Sequence, residues 1–207
     1  MLRPLLHVLT DETLRPGRTH AEIAQAAFAG GADVVQLRDK IRDDAALLPI
    51  ARRLAAIARD AGGILVVNDR LEVALACGAD GVHLGPEDLA PAQARPRWAR
   101  PKLLGGSVRT VERARELAAA GCDYLGVGPV YETTTKRGAP GAIGLGRIRE
   151  ISSAVDVSII GIGGIHAGNA AAVIRAGASG IAVVSCVALA DDPEEATRAL
   201  RQAIDEA

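Results

Sequence analysis

Four times along this 207-residue chain a helix-like segment stops at glycine and a strand-like run follows almost at once. The four turns read Gly30-Gly31-Ala32-Asp33, Gly78-Ala79-Asp80-Gly81, Gly121-Cys122-Asp123-Tyr124 and Gly177-Ala178-Ser179-Gly180. Glycine ends a helix cheaply because it tolerates the left-handed backbone that the last turn needs. One helix-to-strand turn reused in this way demands a repeated βα architecture. Around these turns, eight short apolar runs alternate with segments of helical period. The strand-like runs cover 5–10, 34–38, 64–67, 81–84, 103–107, 124–130, 159–165 and 181–185. Helices are expected over 21–29, 44–61, 71–77, 110–120, about 145–153, 167–176 and 193–206. Pro49 forces the second helix to start near Leu48 or to bend there, and Thr110 suits an N-cap. The stretch 95–102, with two prolines and Trp98, reads as a loop. The expected fold is α/β, a single (β/α)8 TIM barrel in which residues 1–207 form one domain.

The composition fits that interior. Apolar residues make up 49% of the chain but aromatics only 2%, so Ala, Val, Leu and Ile must fill the barrel, as layered barrel packing allows. A net charge of −1 gives no electrostatic basis for nucleic acid or a membrane surface. Stacking aromatics for single strands are scarce. No apolar run approaches the ~20 residues of a membrane span, and Met1-Leu2-Arg3-Pro4 does not begin a signal peptide. A cytoplasmic protein is therefore expected. Its oligomeric state is left open, a homo-oligomer included. Cys77, Cys122 and Cys186 lack disulfide or zinc spacing and read as small core residues.

In a closed parallel barrel, side chains at the C-terminal strand ends converge on one mouth. The second run places Gln36, Arg38 and Lys40 there, and their alternation allows a shared face. Asn68 and Asp69 follow the third run, Asp88 the fourth, and Ser107 ends the fifth. The long loop 131–144 carries Thr133, Thr135 and Lys136, and a loop of that length is expected to be a lid or binding loop. Glycines end the seventh run at Gly163-Gly164, and Val184-Ser185 end the eighth. Such ends suit a phosphate. Asp69 and Asp88 among Arg38, Lys40 and Lys136 suit an Mg2+ that bridges to a diphosphate and keeps some of its waters. No His/Cys cluster offers a softer metal site. Two anion sites over one mouth imply two phosphorylated small-molecule substrates.

The histidines are less telling. His7 and His83 lie within strand-like runs and are expected to be satisfied core or mouth residues. His20 is expected to be solvated at a helix start, and His166 either lines the phosphate end or begins a helix. Neither a Gly-x-Ser-x-Gly nor a Cys–His signature is present. Covalent catalysis has no candidate nucleophile.

Taken in order, several stretches resemble the thiamine phosphate synthase family over nearly the whole chain. The first half supplies Leu9-Thr10-Asp11, Gln36-Leu37-Arg38-Asp39-Lys40, Val67-Asn68-Asp69 and Gly81-Val82-His83-Leu84-Gly85-Pro86-Glu87-Asp88. The second supplies Gly106-Ser107, Gly128-Pro129-Val130-Tyr131, Thr133-Thr134-Thr135-Lys136 and Gly161-Ile162-Gly163-Gly164-Ile165. The resemblance implies a transferase that joins 4-amino-2-methyl-5-hydroxymethylpyrimidine diphosphate to hydroxyethylthiazole phosphate. Thiamine phosphate and pyrophosphate would form by an Mg-assisted dissociative substitution. It further implies that Gln36, Arg38, Lys40 and Asn68 hold the pyrimidine diphosphate, with Ser107 and Lys136 nearby. Asp69 and Asp88 would bind Mg2+, and Thr133, Thr135, Gly164, Val184 and Ser185 the thiazole phosphate. Arg38, Lys40, Ser107 and Lys136 would act on the leaving group. Such a reaction needs positioning and electrostatics more than a general base. The chain departs from the family pattern at Pro86, Arg109 and Glu132, where glutamine, histidine and proline are common. Pro86 could stiffen the approach to Asp88, and Arg109 could add an anion contact.

Two other readings share the barrel. A thiazole tautomerase resembles it too and tends to carry glutamate at the position of Glu132. Its acid/base histidine, however, would fall on Pro129, and it tends to lack the two metal carboxylates. A non-catalytic barrel that binds phosphorylated ligands would have no need of that carboxylate pair.

Overall fold

The computed structural model describes residues 5–98, 101–135, 138 and 141–207. Eight parallel strands close on themselves in sequence order: β1 (Leu5–Thr10), β2 (Val34–Leu37), β3 (Ile64–Asn68), β4 (Gly81–Leu84), β5 (Leu103–Val108), β6 (Tyr124–Val127), β7 (Ser158–Ile162) and β8 (Gly180–Val183). β8 returns to β1 with Leu5 opposite Gly180 and Val8 opposite Val183. The helices outside are α1 (His20–Ala29), α2 (Asp44–Ala61), α3 (Leu71–Cys77), α4 (Pro91–Ala94), α5 (Val111–Ala119), α6 (Gly144–Ser152), α7 (Ala167–Arg175), α8 (Ser185–Ala188) and α9 (Pro193–Asp205). This is a (β/α)8 TIM barrel, with the short α8 inserted before the closing helix.

The reused turn has a physical job. Asp33 accepts from the Leu6 N–H at 2.7 Å, Asp80 from Leu65 at 2.9 Å and Asp123 from Leu104 at 2.8 Å. Ser179 Oγ takes the same place against the Ile159 N–H, at a longer 3.4 Å. Each of the four also donates its own backbone N–H to the carbonyl of the residue it clamps, at 2.7–3.0 Å. A residue just before each even-numbered strand thus satisfies both backbone groups near the start of the preceding odd strand, groups that would otherwise sit unpaired at the barrel's lower rim. Arg201 of α9 reaches Asp33 at 3.0 Å, and Arg95 reaches Asp123 at 2.8 Å.

Several boundaries differ from the sequence expectation, each for a local reason. Thr19 and Glu22 form a reciprocal capping box, so α1 begins at His20. Asp43 caps the Ala46 N–H, so α2 starts at Asp44, and Pro49 sits inside the helix rather than setting its start. There it removes only a single intrahelical bond. A short helix that was not expected, α4, forms on Pro91 before the 95–102 loop, and Trp98 in that loop is fully buried, its indole N–H on the Leu103 carbonyl at 2.8 Å. β6 ends at Val127, before a cis Gly128–Pro129 peptide. β7 ends at Ile162 because Gly163 and Gly164 turn left-handed, with φ of 99° and 65°. Of the cysteines, only Cys122 is fully buried; Cys77 and Cys186 are half-buried.

Two apolar layers result. The larger lies between barrel and helices, and a smaller cluster of Leu9, Tyr124, Ile160 and Ala182 fills the barrel's inside. Polar rings fit into that interior because two neighbouring positions are glycine. A Cβ on Gly105 would lie 2.2 Å from the Tyr124 ring and 2.6 Å from His83 Nδ1, and one on Gly126 would lie 3.0 Å from His83 Cε1.

Candidate active site

At the mouth, β3 ends in a bend that sequence reading did not anticipate. Asp69 adopts a left-handed backbone, φ 66°, the only non-glycine residue to do so among the described residues. Aspartate is among the few side chains that tolerate it. The Asp69 N–H still donates to the His83 carbonyl at 2.8 Å, so the bend redirects the carboxylate while the chain stays tied to β4. On that neighbouring strand, the Gly85–Asp88 turn folds the Asp88 carboxylate back onto the Gly85 N–H at 2.7 Å. The two carboxylates then share one corner. A Cβ placed on Gly85 would lie 3.1 Å from Asp88 Oδ2 and 3.9 Å from Asp69 Oδ1. Partial burial and the facing Asp69 carboxyl raise the Asp88 pKa, while Lys40 works the other way. Lys40 places its ammonium on Asp69.

Gln36, Arg38 and Lys40 do not share a strand face as their alternation suggested, because β2 stops at Leu37. Gln36 is buried on the strand, Arg38 pairs with Asp11 at the end of β1, and Lys40 crosses to Asp69 beyond β3. Ion pairs to the two neighbouring strand ends, rather than strand pleat, bring the two cations to the mouth. Asn68 closes β3 half-buried.

The loop behind Arg38 is anchored by residues that sequence reading passed over. His20 is 1% exposed, not solvated; its ring bridges Thr10 Oγ1 at 2.7 Å and Asp39 Oδ2 at 3.3 Å. Burial opposes the Asp39 charge, yet the Arg42 and Ile41 N–H groups, the Arg42 guanidinium and His20 hold its pKa well below the usual carboxylate range. Arg42 also reaches Glu12 at 2.6 Å. A cavity of about 320 Å³ lies among Asp11, Glu12, His20, Arg38, Asp39 and Arg42. The sequence signal was available: a histidine directly after a capping threonine falls on the first turn of a helix, against the strand ends.

Across the mouth, hydroxyls line up. Thr133 Oγ1 lies 3.3 Å from Thr135 Oγ1, which donates to Ser185 Oγ at 3.2 Å. The loop after β6 is thereby joined to the end of β8, beside Val184. The Gly163-Gly164 turn has no room for side chains, since a Cβ on Gly164 would meet the Glu132 carbonyl at 2.5 Å. Lys136, the remaining expected site residue, lies outside the described residues. His166 begins α7 as its N-cap, with Nδ1 accepting from the Gly168 N–H at 3.2 Å. Arg109 bonds the Gly141 carbonyl at 2.7 Å, and Glu132 accepts from the Ala142 N–H at 3.1 Å. Arg109 thus ties the β5–α5 turn to the loop after β6, and Glu132 ties down its own loop.

Below Ser107 the inner wall is polar. Ser107 Oγ lies 2.9 Å from His83 Nε2, and His83 Nδ1 lies 3.1 Å from the Tyr124 hydroxyl. Burial pushes the His83 pKa down to about 4 and raises that of the Tyr124 phenol. Beneath them, His7 stacks obliquely 5.5 Å from Tyr124. Its Nε2 is buried without a partner, so the expectation of a satisfied histidine fails there. Burial and His83 push the His7 pKa down to about 3. Among the described residues, no group of three or more His, Cys, Asp or Glu side chains could hold a metal. A metal here would rest on the Asp69–Asp88 pair.

Comparison with known proteins agrees with this architecture. The family model described as thiamine monophosphate synthase matches residues 6–187. A thiamine-phosphate synthase of Methanoregula boonei is 48% identical over 199 residues, covering 96% of this chain and 92% of its own. One from Chloroflexus aurantiacus is 48% identical over 196 residues, covering 95% and 90%. The solved thiamine phosphate pyrophosphorylase of Pyrococcus furiosus superposes with a TM-score of 0.88 at 37% identity, covering 98% of this chain and 96% of that one. The chain belongs to the thiamine monophosphate synthase family.

Proposed function

We propose that the chain couples 4-amino-2-methyl-5-hydroxymethylpyrimidine diphosphate to hydroxyethylthiazole phosphate, releasing pyrophosphate. The observation that carries this is the division of the mouth. Carboxylates and cations gather on the β2–β4 side, and hydroxyls with a glycine turn on the β6–β8 side. In this reading Gln36 and Asn68 seat the pyrimidine, and Arg38 and Lys40 turn from Asp11 and Asp69 to hold the diphosphate. Thr133, Thr135, Gly164, Val184 and Ser185 hold the thiazole phosphate.

The Asp69–Asp88 corner fits Mg2+. Two hard oxygen donors crowd together with the Lys40 ammonium on Asp69, and partial burial with the facing Asp69 carboxyl raises the Asp88 pKa. Mg2+ is commonly held by one or two carboxylates plus substrate phosphates. When bound there, it would neutralise charge on the departing pyrophosphate. The substitution breaks the bond between the pyrimidine methylene carbon and its diphosphate oxygen, and the electron pair leaves with pyrophosphate. The thiazole nitrogen then supplies its lone pair to that carbon. No proton has to move. In this reading Arg38, Lys40 and the Ser107 hydroxyl meet charge that grows on the leaving oxygen.

A tautomerase shares the glutamate at position 132 but is disfavoured by Pro129, which has no titratable group to shuttle a proton. A binding-only barrel is disfavoured by the paired carboxylates. Among the described residues no helix is long and apolar enough to cross a membrane, which suits the proposed cytoplasmic setting. The deciding experiment incubates the protein with both substrates and Mg2+ and assays thiamine phosphate and pyrophosphate. Equimolar products that vanish in EDTA support the reading, and full activity in EDTA overturns its metal.

A further inference from the structure

We propose that Tyr124 and His83 act as positioning residues that fix the direction of the Ser107 hydroxyl, so that its proton points into the mouth. This rests on the reading that Ser107 meets the leaving group. Tyr124 is buried at 6% exposure on the inner face of β6. The acceptor within reach of its hydroxyl, among the described residues, is His83 Nδ1 at 3.1 Å. His7 Nε2 is too far to serve, being itself without a partner. A buried hydroxyl that keeps its proton unshared is penalised, whereas an oxygen with one unused lone pair is penalised far less. Tyr124 therefore donates.

A neutral imidazole that accepts at Nδ1 must carry its proton at Nε2. That N–H faces Ser107 Oγ at 2.9 Å, so the serine accepts, and its own O–H is left for the mouth. The opposite tautomer would reverse every bond. Ser107 would then give its proton to His83 and turn a lone pair toward an anionic substrate. The two tautomers differ by one proton shift within the ring, and Tyr124 is the group that chooses between them. The room for this chain is built in: Gly105 and Gly126 vacate the space that the Tyr124 and His83 rings occupy. Backbone without side chains on two adjacent strands leaves the space that this polar ring pair fills.

The test reads the tautomer directly. In the 15N-labelled full chain, long-range proton–nitrogen correlation spectra should show His83 with a protonated Nε2 and a bare Nδ1. Tyr124→Phe should mix or invert that pattern and lower kcat about tenfold to a hundredfold, the range for losing part of one preorganised donor. KM for both substrates should stay within about twofold, a split that general loosening of the barrel would not give. Ser107→Ala should retain the wild-type tautomer and lose at least as much rate, and Tyr124→Phe should cost nothing further in that background. A protonated Nδ1 in the wild-type chain, or a folded Tyr124→Phe enzyme at full kcat, overturns the proposal alone. A Ser107→Ala enzyme at the wild-type rate overturns the underlying role of Ser107, and the proposal falls with it.

Discussion

The two rims of this barrel are built from the same polar residue types and do opposite things with them. At the lower rim, Asp33, Asp80, Asp123 and Ser179 repeat one contact, each satisfying a backbone N–H of the neighbouring strand. At the upper rim the contacts among the described residues follow no strand-by-strand repeat. Asp11 holds Arg38, Asp69 holds Lys40, Asp88 folds onto its own loop, and Ser107 hangs from His83. A residue that completes the backbone has its geometry dictated by the sheet, so it recurs with the sheet. One that faces a ligand answers to the ligand's shape, and the ligand has no fourfold repeat.

That contrast predicts where removal of an aspartate should be felt. Asp69→Ala and Asp88→Ala should each reduce turnover by about a thousandfold or more, the several kcal/mol that a bound metal contributes. The melting temperature should stay within about 3 °C for Asp88→Ala, whose carboxylate supports no strand backbone, and fall by a few degrees more for Asp69→Ala, because alanine tolerates the left-handed backbone at that position less well than aspartate. Turnover unchanged in both variants would remove the metal assignment. Unfolding in both would erase the distinction between the rims.

At the lower rim the same substitution should act the other way round. Asp123→Ala leaves the Leu104 N–H and the Arg95 guanidinium without their shared carboxylate. The cost is about 2–3 kcal/mol for one half-buried donor plus a part-buried ion pair, read as a shift in the urea midpoint. Activity per folded molecule should stay within twofold. A fall in kcat beyond the loss of folded protein would mean that the lower rim transmits strain to the mouth.

How much of each rim could be read from sequence follows from the same contrast. The repeated glycine turns show the lower rim because repetition is visible along a chain, even though the bonds made by Asp33, Asp80 and Asp123 are not. Asp69 and Asp88 were legible because position after a strand is enough to place them at the mouth. The meeting of Arg38 with Asp11, and the burial of His20 against Asp39, were not, since both depend on loops crossing between strands. The inner wall was half legible. Period-two alternation puts His83, Ser107 and Tyr124 inside, and the glycines at 105 and 126 mark the space, but the bonds among them need the closed barrel's register.

His7 lies between the rims and asks where ligand space ends. Its folded-state pKa of about 3 lies below the ordinary 6.5, so between those values the unfolded chain binds a proton that the folded chain refuses. Stability should therefore rise with pH across that window and be lost progressively as pH falls through it. His7→Phe removes both the refused proton and the unpartnered nitrogen, for a gain of about 1–2 kcal/mol near neutral pH. Urea midpoints measured from pH 4 to 7 should show a shallower slope in the variant. An unchanged slope would mean that His7 is protonated or solvated in the folded barrel, and that the mouth reaches deeper than the Tyr124 layer.

The smallest expected effect is at the odd member of the repeat. Ser179 holds the Ile159 N–H at 3.4 Å, against 2.7–2.9 Å for the three aspartates. A neutral hydroxyl at that distance is a weak acceptor, whereas a carboxylate bond to an N–H is charge-assisted and roughly twice as strong. The backbone bond from the Ser179 N–H to the Ile159 carbonyl, 2.8 Å, survives any side-chain change. Ser179→Ala should therefore shift stability by only about 0.5 kcal/mol, well below Asp123→Ala, with no change in kcat. A loss as large as that of Asp123→Ala would show that the repeat works through burial of its turn rather than through the acceptor. The parallel between the four turns would then rest on their glycines alone.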